Sequence, residues 1–261
     1  MSAALISYAH ISKHFAGGAV TAVDDVSLDV GTGEFVAVVG GSGSGKTTLL
    51  RLTNRLIDAD SGTITVEGED VRAVDPVSLR RRIGYVFQSG GLFPHMSIGD
   101  NIGITPKLQG ISASEIAARV DELLALVRLD HGAHRDRLPH ELSGGQRQRV
   151  GVARALAAHP RIVLMDEPFG ALDPLTRDAL AEDFRALHTK LALTTIMITH
   201  DMTEALLLAD RIAVMRAGRL LALGTPSELS ASREPYVMEL LRTPRRQAER
   251  LNALLPGAGN P

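Results

Sequence analysis

The run Gly40-Gly41-Ser42-Gly43-Ser44-Gly45-Lys46-Thr47 carries the strongest chemical signal in the chain. It fits the spacing G-x-x-x-x-G-K-[ST]. In that pattern the glycines let the backbone curl until successive N–H groups converge on a phosphate. A lysine at position 46 can reach the outer phosphates, and the Thr47 hydroxyl can ligate Mg²⁺. The apolar run Phe35-Val36-Ala37-Val38-Val39 precedes it and reads as a buried parallel strand. Thr48-Leu49-Leu50-Arg51-Leu52 follows and opens a helix, whose N-terminus adds positive potential. Strand, loop and helix in this order predict a nucleotide-binding loop.

Other residue types point the same way. Asp166 and Glu167 end the apolar run Ile162-Val163-Leu164-Met165. Ligands of open parallel sheets bind beyond the carboxyl ends of the strands. The first carboxylate can then hold Mg²⁺ and the second can polarise an attacking water. Pro168 makes a plain helix start there less natural. His200 ends the run Thr194–Thr199, where it can touch a γ-phosphate or orient water. Gln88 follows Ile83–Phe87 in the same way, and its amide oxygen can complete an Mg²⁺ shell. Leu142-Ser143-Gly144-Gly145-Gln146 precedes a helical stretch, with Ser143 as its N-cap. It reads as a second phosphate-binding helix N-terminus, though these residues also suit an ordinary capped helix.

The bulk numbers bound the setting. The chain has 261 residues, 44% hydrophobic, with a net charge of −2. That supports a sizeable core and argues against nucleic-acid binding. There is no cysteine, hence no disulfide and no thiolate metal site. No signal peptide is expected at the N-terminus. No apolar run approaches the roughly 20 residues of a membrane span. Work at a membrane would require docking onto another chain.

Strands are expected from Leu5 to Ile11 and from Ala22 to Val30, which implies an antiparallel sheet flanking a parallel core. Another is expected over Thr63–Val66. Residues 89–110 read as loop, rich in glycine and proline. An amphipathic helix is expected from Ser114 to Val127, with Ser114 as N-cap. The stretch from about Gly90 to Ala157 offers no strand and reads as a separate helical lobe. Asp173-Pro174 opens the next helix, with Asp as N-cap and Pro at its first position. Ile212–Met215 and Leu220–Leu223 read as a hairpin, and short helices end the chain. The tail from Pro256 is expected to be disordered.

Taken together, the set resembles the nucleotide-binding subunit of an ATP-binding cassette (ABC) transporter. Gly40–Thr47 resembles its Walker A motif, Gln88 its Q-loop and Leu142–Gln146 its signature. Ile162–Glu167 resembles Walker B, Ala171-Leu172-Asp173 the D-loop, and His200 the switch histidine. The resemblance implies an α/β fold: a RecA-like P-loop NTPase core, an antiparallel β subdomain and an inserted α-helical subdomain. It implies a domain over residues 5–240, a helical subdomain at about 90–157, and a partly disordered extension over 241–261. ATP and Mg²⁺ are its cofactors. Phe15 resembles the aromatic residue that stacks on adenine, where tyrosine is commoner; Gly40, Gly41, Ser42, Gly43, Ser44, Gly45, Lys46, Thr47 and Thr48 would bind the phosphates. Thr47, Gln88 and Asp166 would hold the metal, with Glu167, His200 and Gln88 catalytic. A head-to-tail homodimer is implied, in which Ser143, Gly144, Gly145 and Gln146 act on the partner's ATP.

A narrower resemblance rests on Ile83–Gln88, on Gly91-Leu92-Phe93-Pro94-His95-Met96-Ser97 and on Pro139-His140-Glu141-Leu142. These are similar to importers of quaternary ammonium osmoprotectants such as glycine betaine, choline or carnitine. Many such ATPases carry a C-terminal pair of CBS modules. With the sequence ending at Pro261, the short variety is expected. The partners implied are an integral membrane permease, touching Leu92, Phe93 and Met96, and indirectly an extracytoplasmic solute-binding protein. The implied location is peripheral, at the cytoplasmic face of the inner membrane. The leading alternative is an importer ATPase for another solute, such as an amino acid or sulfonate. A non-transport ABC ATPase and a regulatory nucleotide-binding module stand further off.

Overall fold

A computed structural model describes residues 4–88 and 90–254. The chain opens with two long strands, β1 (Ala4–Phe15) and β2 (Val20–Gly31), paired antiparallel. Strand β3 (Phe35–Val39) leads through the glycine loop into helix α1 (Lys46–Thr53). Then come β4 (Ser61–Val66), β5 (Glu69–Asp70), α2 (Pro76–Arg82) and β6 (Ile83–Val86). Four helices follow: α3 (Ile98–Leu108), α4 (Ala113–Leu126), α5 (His131–His134) and α6 (Gly144–Leu156). The chain continues through β7 (Ile162–Asp166), α7 (Pro174–Lys190), β8 (Thr194–Thr199) and α8 (Met202–Leu208). A hairpin of β9 (Arg211–Arg216) and β10 (Arg219–Gly224) precedes α9 (Pro226–Ser230) and α10 (Pro235–Leu254).

The strands form two sheets. One is antiparallel, in the order β2-β1-β4-β5. The other runs β10-β9-β3-β8-β7-β6, parallel except for β10. Side-chain alternation along β3 shows how the layers are bound. Phe35, Ala37 and Val39 join the apolar cluster shared with α6, α7 and α8. Val36 and Val38 join the cluster formed with β1, β2, β4 and α1. All five residues are buried, as expected for a strand covered on both faces.

Local structure departs from the sequence expectation in three places. Helix α3 runs through a stretch that reads as loop. Its Ile98 and Ile102 are fully buried one turn apart, and this packing outweighs the poor helix propensity of its glycines and Pro106. Helix α4 starts two residues early, because Ser112 rather than Ser114 forms a reciprocal capping box with Glu115. The boundary expected at residue 240 falls inside α10, which is one long helix rather than several short ones. The tail from Pro256, expected to be disordered, lies outside the described residues.

Candidate nucleotide site

Helix starts separate α1 from its neighbours. Helices α2 to α9 each begin on Asp, Ser or Thr, whose side chain accepts from a first-turn N–H. Helix α1 begins on Gly45, with no side-chain cap. Its first-turn N–H groups, on Lys46, Thr47 and Thr48, therefore have no side-chain acceptor, which is the condition for anion binding there. Gly45 is also sterically required. Its φ is 100°, and a Cβ would run into the backbone carbonyl of Ala22 on β2.

Lys46 is buried. Its ammonium donates to Gly40 O at 2.7 Å, Gly41 O at 3.0 Å and Ser44 Oγ at 3.4 Å. Burial lowers its pKa, while the carboxylates of Glu167 and Asp166 oppose that shift. The glycine loop has one unexpected support. The Gly41 N–H donates to Tyr236 Oη of α10 at 3.0 Å, and the Arg216 guanidinium lies 4.8 Å from the Tyr236 ring centre.

Asp166 is the last residue of β7, one strand away from β6. Tyr85 Oη of β6 donates to Asp166 Oδ2 at 3.3 Å. Burial pushes the Asp166 carboxyl above the usual carboxylate range, against the pull of Tyr85, Arg51 and Lys46. Burial, and then the Asp166 charge, also push the Tyr85 phenol up. Glu167 has φ of 44°, unusual for a residue with a side chain. Its N–H is held by Ile198 O of β8 at 3.0 Å. Its Oε2 accepts from Gln88 Nε2 at 3.0 Å and stands 3.2 Å from His200 Nδ1. Three strand ends thus bring Gln88, Glu167 and His200 to one oxygen atom.

The remaining expected residues lie apart. Ser143 caps α6, accepting from Gln146 N at 3.2 Å and donating its own N–H to Gln146 Oε1 at 2.9 Å. Among the described residues, no hydrogen bond joins 143–146 to the glycine loop. Gly145 abuts Thr176 on α7, so the start of α6 meets the turn that follows Asp173. Asp173 caps α7 through Thr176 N at 3.0 Å, and hydrogen bonding to the Thr176 side chain and then to its N–H lowers the Asp173 pKa. Phe15 is 41% exposed at the end of β1, with the Lys13 ammonium 5.6 Å from its ring centre. Phe93 is also exposed, Leu92 and Met96 are half-buried, and Ile98 is buried. Tyr236 and Arg51 gave no motif signal, and the motif containing Tyr85 did not point to Asp166; each reaches the site from a different element.

A family described as ABC transporter matches residues 23–170. This chain belongs to the ABC transporter family. It is 51% identical over 226 residues to the glycine betaine/carnitine/choline transport ATP-binding protein OpuCA of Bacillus subtilis, covering 86% of this chain and 59% of that one. It is 50% identical to the glycine betaine uptake system ATP-binding protein YehX of Escherichia coli, covering 85% and 71%. The chain spans about three fifths of the length of the first curated relatives it matches. Among solved structures, the ATP-binding cassette MJ0796, a dimer in a post-hydrolysis state bound to ADP and Pi, superposes with a TM-score of 0.76. The identity is 29%, covering 84% of this chain and 98% of that one. The fold is therefore that of an ABC ATPase, and the ABC domain implies ATP binding.

Proposed function

We propose that this ABC domain is the ATP-hydrolysing subunit that powers import of a small quaternary ammonium osmoprotectant through a separate membrane permease. One observation carries the ATPase half: Glu167 sits at a strand end, sharing its Oε2 between Gln88 and His200. Likeness to the transport proteins of B. subtilis and E. coli carries the solute class.

The roles follow from position. Lys46 exchanges its bonds to Gly40 and Gly41 for β- and γ-phosphate oxygens, and the N–H groups of 45–48 complete the cradle. Thr47, Asp166 and Gln88 suit Mg²⁺, which takes oxygen ligands and keeps phosphate and water in its shell. Among the described residues no group of three or more His, Cys, Asp and Glu side chains could hold a metal ion by itself. When bound, Mg²⁺ neutralises phosphate charge. Glu167 takes the proton of the attacking water, and His200 hydrogen-bonds the γ-phosphate.

Ser143, Gly144, Gly145 and Gln146 close the ATP site of a second copy in a head-to-tail homodimer. Phe15 stacks on the adenine. Leu92, Phe93 and Met96 meet the permease, which takes solute from an extracytoplasmic binding protein. No helix among the described residues is long and apolar enough to cross a membrane. The proposed location is the cytoplasmic face of the membrane, as a peripheral subunit.

Deleting the gene and measuring uptake of radiolabelled glycine betaine, choline and carnitine tests the solute class. Loss of uptake, restored by wild type but not by Lys46→Ala, is expected. Unchanged uptake of all three would refute the solute class. The purified chain failing to hydrolyse Mg-ATP would refute the ATPase assignment.

A further inference from the structure

Arg154 lies on α6, eight residues beyond Gln146 of the capping box, and is buried. A buried guanidinium is costly unless its donors are satisfied. Among the described residues no carboxylate pairs with it. Instead its two terminal nitrogens form a fork. Nη1 donates to Gly91 O at 2.7 Å and Nη2 to Gly90 O at 2.8 Å. Its guanidinium carbon also lies over two rings, 5.6 Å from the centre of Phe87 and 6.0 Å from that of Phe93.

Two other residues on the same face of α6 grip the same segment. Gln148 Nε2 donates to Phe87 O at 3.1 Å. Gly151 lets the backbone of Gly90 approach, since a Cβ there would stand 3.2 Å from Gly90 Cα. Positions 148, 151 and 154 recur every three residues and so face one way. Gly90 and Gly91 have φ of 75° and 57°, which points their carbonyls at the helix at little steric cost. Gln88 is thereby bracketed, with its neighbours Phe87, Gly90 and Gly91 all fastened to α6.

We infer that Arg154 is a positioning residue: it fixes Gln88 against Glu167 and binds the Gln88 segment, Phe93 and the signature helix into one rigid unit. This inference rests on the ATPase reading above. Its consequence is mechanical. A displacement of Phe93 by a docked partner is passed to Gln88 and to Ser143 together, because Arg154 stands on the helix that Ser143 caps and holds the backbone next to Gln88. Lysine is a poor replacement, since an ammonium lacks the rigid two-nitrogen fork and the planar surface that a guanidinium offers to aromatic rings.

The test uses the full chain with Mg-ATP. Arg154→Lys should lower kcat by on the order of 10- to 100-fold and leave KM for ATP nearly unchanged. In a Gln88→Ala background it should have little further effect, because both changes disable the same group. Amide hydrogen exchange at Gly90, Gly91 and Phe93 should quicken in Arg154→Lys. If the effects on kcat multiply, or exchange in that segment is unchanged, the inference is overturned. Where Arg154→Lys fails to fold by circular dichroism, Gln148→Ala replaces it in both measurements, with the same outcomes. Absence of turnover in wild type falls on the ATPase reading, while the exchange result still decides the clamp.

Discussion

The side-chain amide of Gln88 donates to Glu167 Oε2 at 3.0 Å, across the gap between the ends of β6 and β7. A residue expected to sense metal and a residue expected to activate water are thus already in contact. His200 faces the same oxygen. Glu167→Gln keeps the shape and can still accept through its amide oxygen, but it loses the base. ATP should still bind, turnover should fall by about 10²- to 10⁴-fold, and an ATP-dependent dimer should accumulate. Turnover assays and gel filtration with ATP check this. A near wild-type rate, or monomer alone, counts against Glu167 as base.

A second expectation concerns the distance between Ser143 and the glycine loop of its own chain. If Ser143 serves the partner's ATP, Ser143→Arg and Lys46→Ala damage different halves of each composite site. Each variant alone should be inactive. Mixed at high concentration, they should regain about one working site per mixed dimer. Continued inactivity of the mixture would show that the signature does not act in trans.

Phe93 supports a third. Its ring is exposed, whereas nearby Ile98 is fully buried at the start of α3. Phe93→Asp removes one of the two rings beside Arg154 but leaves the core intact, so the isolated subunit should remain folded and still bind ATP. Co-purification with the permease and solute uptake should be lost. Retention of both would exclude Phe93 as a contact anchor.

The fourth concerns pH. Burial holds the Asp166 carboxyl above its ordinary value of 3.8. The folded chain then binds this proton more tightly than the unfolded chain, so stability falls as pH rises from the ordinary value through the raised one. Asp166→Asn removes that loss. Its melting temperature should match wild type below the ordinary carboxylate range and exceed it at neutral pH. Mg-ATP binding should weaken at the same time, the usual exchange of function for stability. Equal melting temperatures at neutral pH would mean that burial of Asp166 costs nothing.

Much of the site was legible because its parts are local. Gly45 marks the uncapped start of α1, and Ser143 and Asp173 cap the helices expected of them. The strand Thr194–Thr199 appears with the expected ends. The rest depends on contacts between residues distant in sequence. Tyr85 reaches Asp166 across 81 residues, and Tyr236 reaches Gly41 across 195. Nothing in the local pattern around either tyrosine records its partner. Helix α3 was hidden for a related reason: its glycines and proline favour loop, and only burial of Ile98 and Ile102 decides otherwise. The clamp of Arg154 on Gly90 and Gly91 spans more than sixty residues and left no motif.

The place of β3 in the parallel sheet bears on how the protein is made. β3 pairs with β8 on one side, Phe35 opposite Thr195, and with β9 on the other, Val36 opposite Arg211. A ribosome has synthesised the glycine loop long before either neighbour exists. Until residues 194–216 emerge, the strand that carries the loop has two open edges and apolar side chains on both faces. Such long-range pairing folds slowly, and unpaired apolar strands are exposed to aggregation in the meantime. The nascent chain thus acquires nucleotide affinity late and abruptly, and release of fragments ending before β8 should yield insoluble protein that does not bind ATP.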